Sequence, residues 1–447
     1  MRLKNNKLIL SVSYGNYTEG NGGTDKVLLA HQKMFNQAGI SMFHLYPVHR
    51  VYDKVPEINL WGLIVDGVYK GMYVTEQILR LLKRNCSSRI TFKAIIMHHF
   101  KGIQIEEIHK LLSNIDAHIF FYLHDYMSIC PDAGLVYNKE RFCSNVTMDK
   151  VRCGGCRYYS VDAQRRAEKI ESLMDCFKDR ITVIAPSPTA ADVWLRHYVQ
   201  FRKQVKVIYH QKLSGVYLGN KQIAPKDKAL RIAFVGYQAD IKGWPCWIKA
   251  VEAARKAGCN YELYQFGTVK NHYDYIQEVK IDFKDNLSAM TKALRRHKID
   301  CAVIWSIWPE TYSYTYYEAF SSNCFIITNN LSGNIAFQVQ KNGNGVVLNG
   351  EESLVPFLQN EQLLRQKING FKESVIKGPD VLCENDDIVG VINDTFGSVE
   401  SIDRITGDKK KKVSYYNRYK SHYENLEKRR IFFSRHYHNV IDRIKIK

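Results

Sequence analysis

At 447 residues, with 45% apolar and 24% charged side chains and a net charge of +19, the chain can hold two domains with full cores, and wholesale disorder is excluded. No run approaches the ~20 apolar residues that cross a bilayer, and the N-terminus, seven mostly polar residues and then Leu8–Val12, is too short and too quickly polar for a signal peptide. The expectation is a cytoplasmic protein, peripheral on the cytoplasmic face of the membrane at most, whose 11 cysteines serve as thiols or metal ligands.

Short apolar runs alternate with helical patterns along the chain. Leu8–Val12, Ala94–Met97, Ile119–Leu123 and Ile181–Ala185 read as buried strands of a first half, and Arg231–Val235, Tyr261–Phe266, Cys301–Ile307 and Phe325–Thr328 as those of a second. Helices such as Asp25–Gln37 and Trp244–Lys256 fall between them. This alternation predicts α/β architecture with parallel sheets covered on both faces. The polar segment Gln211–Lys228, with Gly215, Gly219 and Pro225, is the linker candidate, giving domains at 1–212 and 228–395 and a tail at 396–447.

After the first strand comes Gly15-Asn-Tyr-Thr-Glu-Gly20-Asn-Gly22-Gly23-Thr24-Asp25, then an amphipathic helix. Glycines let the backbone approach a ligand, and the helix start offers free N–H groups; a plain connector capped by Thr24 or Asp25 is an equally open reading. The second half repeats the layout as Gly236-Tyr-Gln-Ala-Asp-Ile-Lys242-Gly243, where Lys242 stands before a helix as a phosphate partner or as an ordinary solvated lysine. Neither turn has Walker or dinucleotide spacing, which weighs against ATPase or hydride-transfer chemistry. Farther on, Glu310 and Glu318 flank Thr-Tyr-Ser-Tyr-Thr-Tyr-Tyr, one in a loop after a strand and the other in the next helix. Two acids at the carboxyl edge of a parallel sheet can grip the hydroxyls of a sugar or ribose. Taken singly, Glu310 also reads as a loop acid, and Glu318 as the partner of Thr315 in a capping box.

Four thiols, Cys130, Cys143, Cys153 and Cys156, follow a C-x12-C-x9-C-x2-C pattern that suits a structural zinc site, with free thiols or an occasional disulfide as the alternative. Cys86, Cys176, Cys246, Cys259, Cys301, Cys324 and Cys383 read as small buried residues. His98-His99-Phe100 ends a strand, its histidines structural or touching an acceptor. From Arg404 to Lys447 there are 14 Lys and Arg against 4 Asp and Glu, leaving a net +9 for the other 403 residues. Apolar residues there, from Tyr416 to Ile444, recur at 4-3 spacing and predict an amphipathic helix that packs on the protein itself or on a second copy, or lies on an anionic leaflet. No nucleic-acid motif accompanies the charge, and nucleic acid is not an expected partner.

Gly22-Gly23, Phe-Val-Gly236 with Lys242-Gly243, Pro309-Glu310 with Glu318-Ala319, and Lys341-Asn-Gly343-Asn-Gly345 occur in an order that resembles the retaining, nucleotide-sugar-dependent glycosyltransferases of family 4. Trp-Pro-Glu310-Thr-Tyr-Ser-Tyr resembles a bacterial branch that builds surface polysaccharides. The resemblance spans about 5–395 and implies the GT-B fold, two Rossmann-like domains facing a cleft, with a UDP-, GDP- or dTDP-sugar donor, a glycan or lipid-linked acceptor and no catalytic metal. It implies that Glu318 holds the donor ribose, Glu310 the donor sugar, Lys242 the diphosphate and His124 the sugar from the N-terminal domain. Donor contacts fall to Gly22, Gly23, Gly236, Tyr237, Thr311, Tyr312 and Ser313. Two positions depart from the pattern: Tyr237 stands where the family has arginine, and Gly333-Asn334-Ile335 where it has a double glycine and a glutamate. The alternative function is a non-catalytic GT-B subunit that stabilises an active partner.

Overall fold

The computed structural model describes residues 5, 7–20, 22–48, 60–85, 91–144, 147–214, 227–282, 288–374 and 381–396. The first half contains β1 (Lys7–Val12), β2 (Ile40–Pro47), β3 (Trp61–Val65), β4 (Val68–Tyr73), β5 (Thr91–Met97) and β6 (His118–Tyr122), a small hairpin of β7 (Val136–Tyr137) and β8 (Arg141–Phe142), then β9 (Ile181–Ala185) and β10 (Val205–Val207). All but the hairpin form one sheet in the order β10-β9-β6-β5-β1-β2-β3-β4. From β10 to β2 the pairs are parallel, as the buried aliphatic runs predict. The edge pairs β2–β3 and β3–β4 are antiparallel, and no strand was expected there.

The chain then enters β11 (Gln211–Ser214), which corrects the linker reading for those residues: they pair antiparallel with β18 (Val381–Glu384). The second sheet holds β12 (Leu230–Val235), β13 (Tyr261–Phe266), β14 (Ile276–Val279), β15 (Cys301–Val303), β16 (Phe325–Asn329) and β17 (Gly345–Leu348). They lie in the order β14-β13-β12-β15-β16-β17, all parallel. β15 is shorter than the apolar run predicts. Ile304 N–H still reaches the Ile327 carbonyl (3.0 Å), but Ile307 N–H bonds the Ile241 carbonyl (3.2 Å), pulling the chain off the sheet toward the Lys242 turn.

Apolar side chains pack on both faces of each sheet. The last described helix, Asp387–Asn393, returns to the N-terminal half. Its Ile388 and Ile392, with Phe396, are buried among Ile9, Leu28, Phe35 and Ile96. Lys7 Nζ adds a 3.0 Å hydrogen bond to Asn393 Oδ1. Of the cysteines read as buried, Cys301 and Cys324 are so, Cys176 is exposed, and Cys246, Cys259 and Cys383 are half-buried; Cys86 lies outside the described residues. The tail read at 396–447 lies outside them too, apart from Phe396. No helix among the described residues is long and apolar enough to cross a membrane.

Candidate active site

Each sheet has one point where its strand order reverses, between β1 and β5 in the first and between β12 and β15 in the second. Ligands of open α/β sheets bind beyond the carboxyl ends of the strands at such points. The segments that leave those four strands are the Gly15–Gly23 turn, His98-His99, the Gly236–Gly243 turn and the loop to Ser313. They face one another across the halves. Tyr126 Oη donates to the Pro309 carbonyl (3.0 Å), Thr311 Oγ1 to the His124 carbonyl (2.6 Å) and Ser187 Oγ to the Thr311 carbonyl (2.7 Å). A Cβ added at Gly23 would meet the Tyr314 ring at 3.9 Å.

Glu310 is only 4% exposed, in the loop after β15. Its Oε1 accepts from Ser306 Oγ (2.7 Å) and from the Lys242 ammonium. Lys242 closes a short 3-10 turn, Asp240–Lys242, and the left-handed Gly243 follows at φ 74°. A side chain at Gly243 would strike the Trp305 carbonyl at 2.1 Å, so only glycine lets this turn lie against the Glu310 loop. Burial disfavours the Lys242 ammonium, but Glu310 and Tyr237 beside it outweigh this and hold its pKa above the ordinary value. The Trp308 ring lies 5.6 Å from the same nitrogen.

Glu318 lies in the helix Tyr314–Ser321. Ser313, not Thr315, is the N-cap; its Oγ accepts from Tyr316 N–H at 3.3 Å, so Glu318 is free of the capping-box role. It is 2% exposed, and burial pushes its carboxyl above the usual range against the pull of Lys26. Lys26, on the helix Gly23–Gln37 of the opposite half, puts Nζ 3.6 Å from Glu318 Oε1 and 4.9 Å from the Tyr314 ring centre. Glu318 Oε2 and Tyr314 Oη are buried without a protein partner. Buried polar atoms are rarely left so, and these two are an acceptor and a donor suited to a ligand's hydroxyls. Sequence reasoning missed Lys26; its one local signal is that it follows the glycine turn by three residues.

His124 is half-buried, its Nε2 2.8 Å from His98 Nδ1, and it stacks on Tyr122, His98 and His210. Burial, then His210, holds its pKa well below the ordinary value, so it works as a neutral ring. His99 receives the Lys101 N–H on Nδ1 (2.9 Å) and donates from Nε2 to Asp125 (2.7 Å), which leaves neither nitrogen for an acceptor. Tyr312 packs on His210 and Tyr317. In the first turn, Gly22 N–H donates to Asp25 Oδ2 (2.9 Å), so the helix start is capped by its own carboxylate. A Cβ at Gly20 would overlap that carboxylate at 2.1 Å. In the second turn, Gly236 has φ 141° and Tyr237 is 42% exposed.

The four cysteines expected to share zinc line one cavity of about 360 Å3 with Tyr137, Arg141 and Met148, and none forms a disulfide. Among the described residues no group of three or more His, Cys, Asp or Glu could hold a metal ion, so the structure gives the zinc reading no support. The thiols sit on the cavity wall, Cys153 Sγ turning to the Thr147 carbonyl (3.9 Å), whereas zinc needs four sulfurs about 2.3 Å from one point. Burial pushes the Cys130 thiol up to about 12.

No family model matches the sequence, and no curated protein matches it at a significant level. Solved structures do. A sucrose-phosphate synthase from Thermosynechococcus elongatus superposes with a TM-score of 0.51 at 13% identity, over 87% of this chain and 98% of that one. A pneumococcal O-GlcNAc transferase, solved with UDP and GlcNAc, does so with a TM-score of 0.50 at 10% identity, over 88% and 100%. The chain has the GT-B fold, with which its two facing switch points agree.

Proposed function

We propose that the protein is a glycosyltransferase that moves a sugar from a nucleotide-sugar donor to a glycan or lipid-linked acceptor. The carrying observation is the placement of Glu310, Glu318 and Lys242 at the switch point of the second sheet, against the glycine turn of the first. Glu318 Oε2, without a protein partner, suits a ribose hydroxyl, and Glu310 suits a hydroxyl of the donor sugar. Lys242 pairs with the diphosphate. The bond between the anomeric carbon and the β-phosphate oxygen breaks, charge grows on that phosphate, and a fixed ammonium in a dry site stabilises it. The departing phosphate oxygen takes the acceptor hydroxyl's proton as the new glycosidic bond forms on the same face, with retention. The cross-cleft hydrogen bonds from Tyr126, Thr311 and Ser187 keep water from the reacting carbon. The pneumococcal transferase is described with UDP, which puts uridine diphosphate first among the candidates, ahead of guanosine and thymidine diphosphates. The basic segment 404–447 supplies charge for an anionic leaflet or a second copy of the chain.

The test is a melting-temperature screen with these diphosphates, then sugar release from the selected donor. Glu310→Gln and Lys242→Met should each lower kcat/KM at least about 100-fold, the loss expected for one transition-state charge partner. No turnover by the wild type with any donor would favour the non-catalytic subunit.

A further inference from the structure

Lys26 and Lys242 occupy matching positions. Each ammonium lies at a glycine turn beyond a switch point, one from each half, and each rests on one of the two site acids, Lys26 on Glu318 and Lys242 on Glu310. Lys26 is well buried, its side chain 13% exposed. It also feels Glu384, whose carboxyl is pushed up to about 7 by burial. Burial lowers the Lys26 pKa while it raises that of Glu318, both away from the charged forms. The pair therefore costs desolvation on both sides, set against a contact at 3.6 Å. Such a pair exchanges partners readily when a better-matched ligand arrives.

A nucleotide sugar brings one negative charge per phosphate and a row of hydroxyls. At the start of helix Gly23–Gln37, Asp25 takes the Gly22 N–H and sets a carboxylate beside the turn, which opposes a phosphate there. Tyr237 adds no cation on the other side. The cations near both acids are thus side chains, and charge balance in a buried site asks for one beside each phosphate.

We propose that Lys26 is the second cation of the donor site: it leaves Glu318 for the diphosphate when the ribose hydroxyls take Glu318 over, as Lys242 leaves Glu310 for the same group. The exchange rests on the glycosyltransferase reading above. It makes donor recognition a property of both halves, since a residue of the N-terminal half holds the leaving group bound by the C-terminal one.

The experiment uses the full chain. Uridine, guanosine, thymidine and adenosine diphosphates are titrated calorimetrically, and the selected base is compared as nucleoside and as diphosphate in wild type, Lys26→Met and Lys26→Arg. Methionine keeps the stem over Tyr314 and removes the charge. Lys26→Met should weaken diphosphate binding about 10-fold or more, as loss of a charged hydrogen bond does, leave the nucleoside within about 3-fold, and flatten the salt dependence; Lys26→Arg should recover most of the affinity. Wild-type or tighter diphosphate binding by Lys26→Met overturns the proposal, since Lys26 would then only stopper Glu318. Equal losses for nucleoside and diphosphate overturn it as well, as a purely structural effect. Should Lys26→Met not fold, Lys26→Gln carries the same comparison. Failure of the wild type to bind any diphosphate sinks the glycosyltransferase reading itself, a result visible before any variant is made.

Discussion

Gly333→Ala tests whether the Glu310 loop is held by backbone packing. Gly333 precedes the helix Asn334–Asn342 with φ 58° and ψ −118°, a region essentially reserved for glycine. An added Cβ would lie 2.6 Å from Pro309 Cα, the Pro309 carbonyl carbon and Glu310 N, all backbone atoms that cannot swing away. The strained dihedral costs roughly 1–3 kcal/mol and the overlap roughly 1–3 more. At about 2–4 °C per kcal/mol for a unit of this size, melting should fall by roughly 4–24 °C. Relief by displacing Pro309-Glu310 would also break the Asn334 N–H to Glu310 carbonyl bond (3.0 Å) and carry the acid off Lys242. Calorimetric melting and donor turnover are both read, with Gly370→Ala as the control. Gly370 lies inside the helix Glu361–Ser374, nothing comes within 4 Å of its added Cβ, and alanine there should stabilise by about 0.5–1 kcal/mol. Wild-type melting and turnover in Gly333→Ala would refute the reasoning.

Acid should weaken the fold through the buried histidines. Burial pushes His31 to about 3, His44 to about 4 and His210 to about 3, so below pH ~6.5 the unfolded chain binds protons that the native one refuses, and stability falls with pH by up to ~1.4 kcal/mol per pH unit for each such group. Melting should drop steadily from pH 7 to 5, and His31→Leu should shallow the slope by about one proton; a flat profile contradicts the assignment. Tyr126→Phe removes the buried hydroxyl that reaches Pro309 and should cost about 1 kcal/mol by urea unfolding together with a slower transfer step; an unchanged rate would mean that bond does not position the loop. Ile392→Ala, fully buried against the first sheet, should cost about 2–5 kcal/mol, and a loss under 0.5 would show that the returning helix is not a real part of that core.

What could be read from the sequence was local in origin. Aliphatic runs such as Leu8–Val12 and Arg231–Val235 announce buried parallel strands by themselves, and the loop–helix position of Glu310 and Glu318 follows from the runs on either side. The turn that sets Lys242 ahead of a helix is legible because it is built from neighbours. The β3–β4 hairpin carried a usable local signal that was overlooked, Asp66-Gly67, both left-handed at φ 49° and 79°. Other features had no local signal. Tyr126 and Pro309 meet across 183 positions; Lys26 finds Glu318 only once both sheets have folded; and Gln211–Ser214 looked like a linker because its partner strand lies at Val381–Glu384. The zinc reading found no support for a related reason: spacing shows that four thiols can approach one another, whereas ligation depends on where a cavity wall points each sulfur.

The polypeptide passes between the halves at β11 and again beside it at β18, and its last described helix seals the sheet it started from. Exchanging donor modules between two such proteins by a single splice near residue 212 would therefore strip the recipient of Ile388, Ile392 and Phe396 and expose a greasy seam. A chimera that works should need two junctions, with 385–396 inherited from the same parent as the N-terminal sheet.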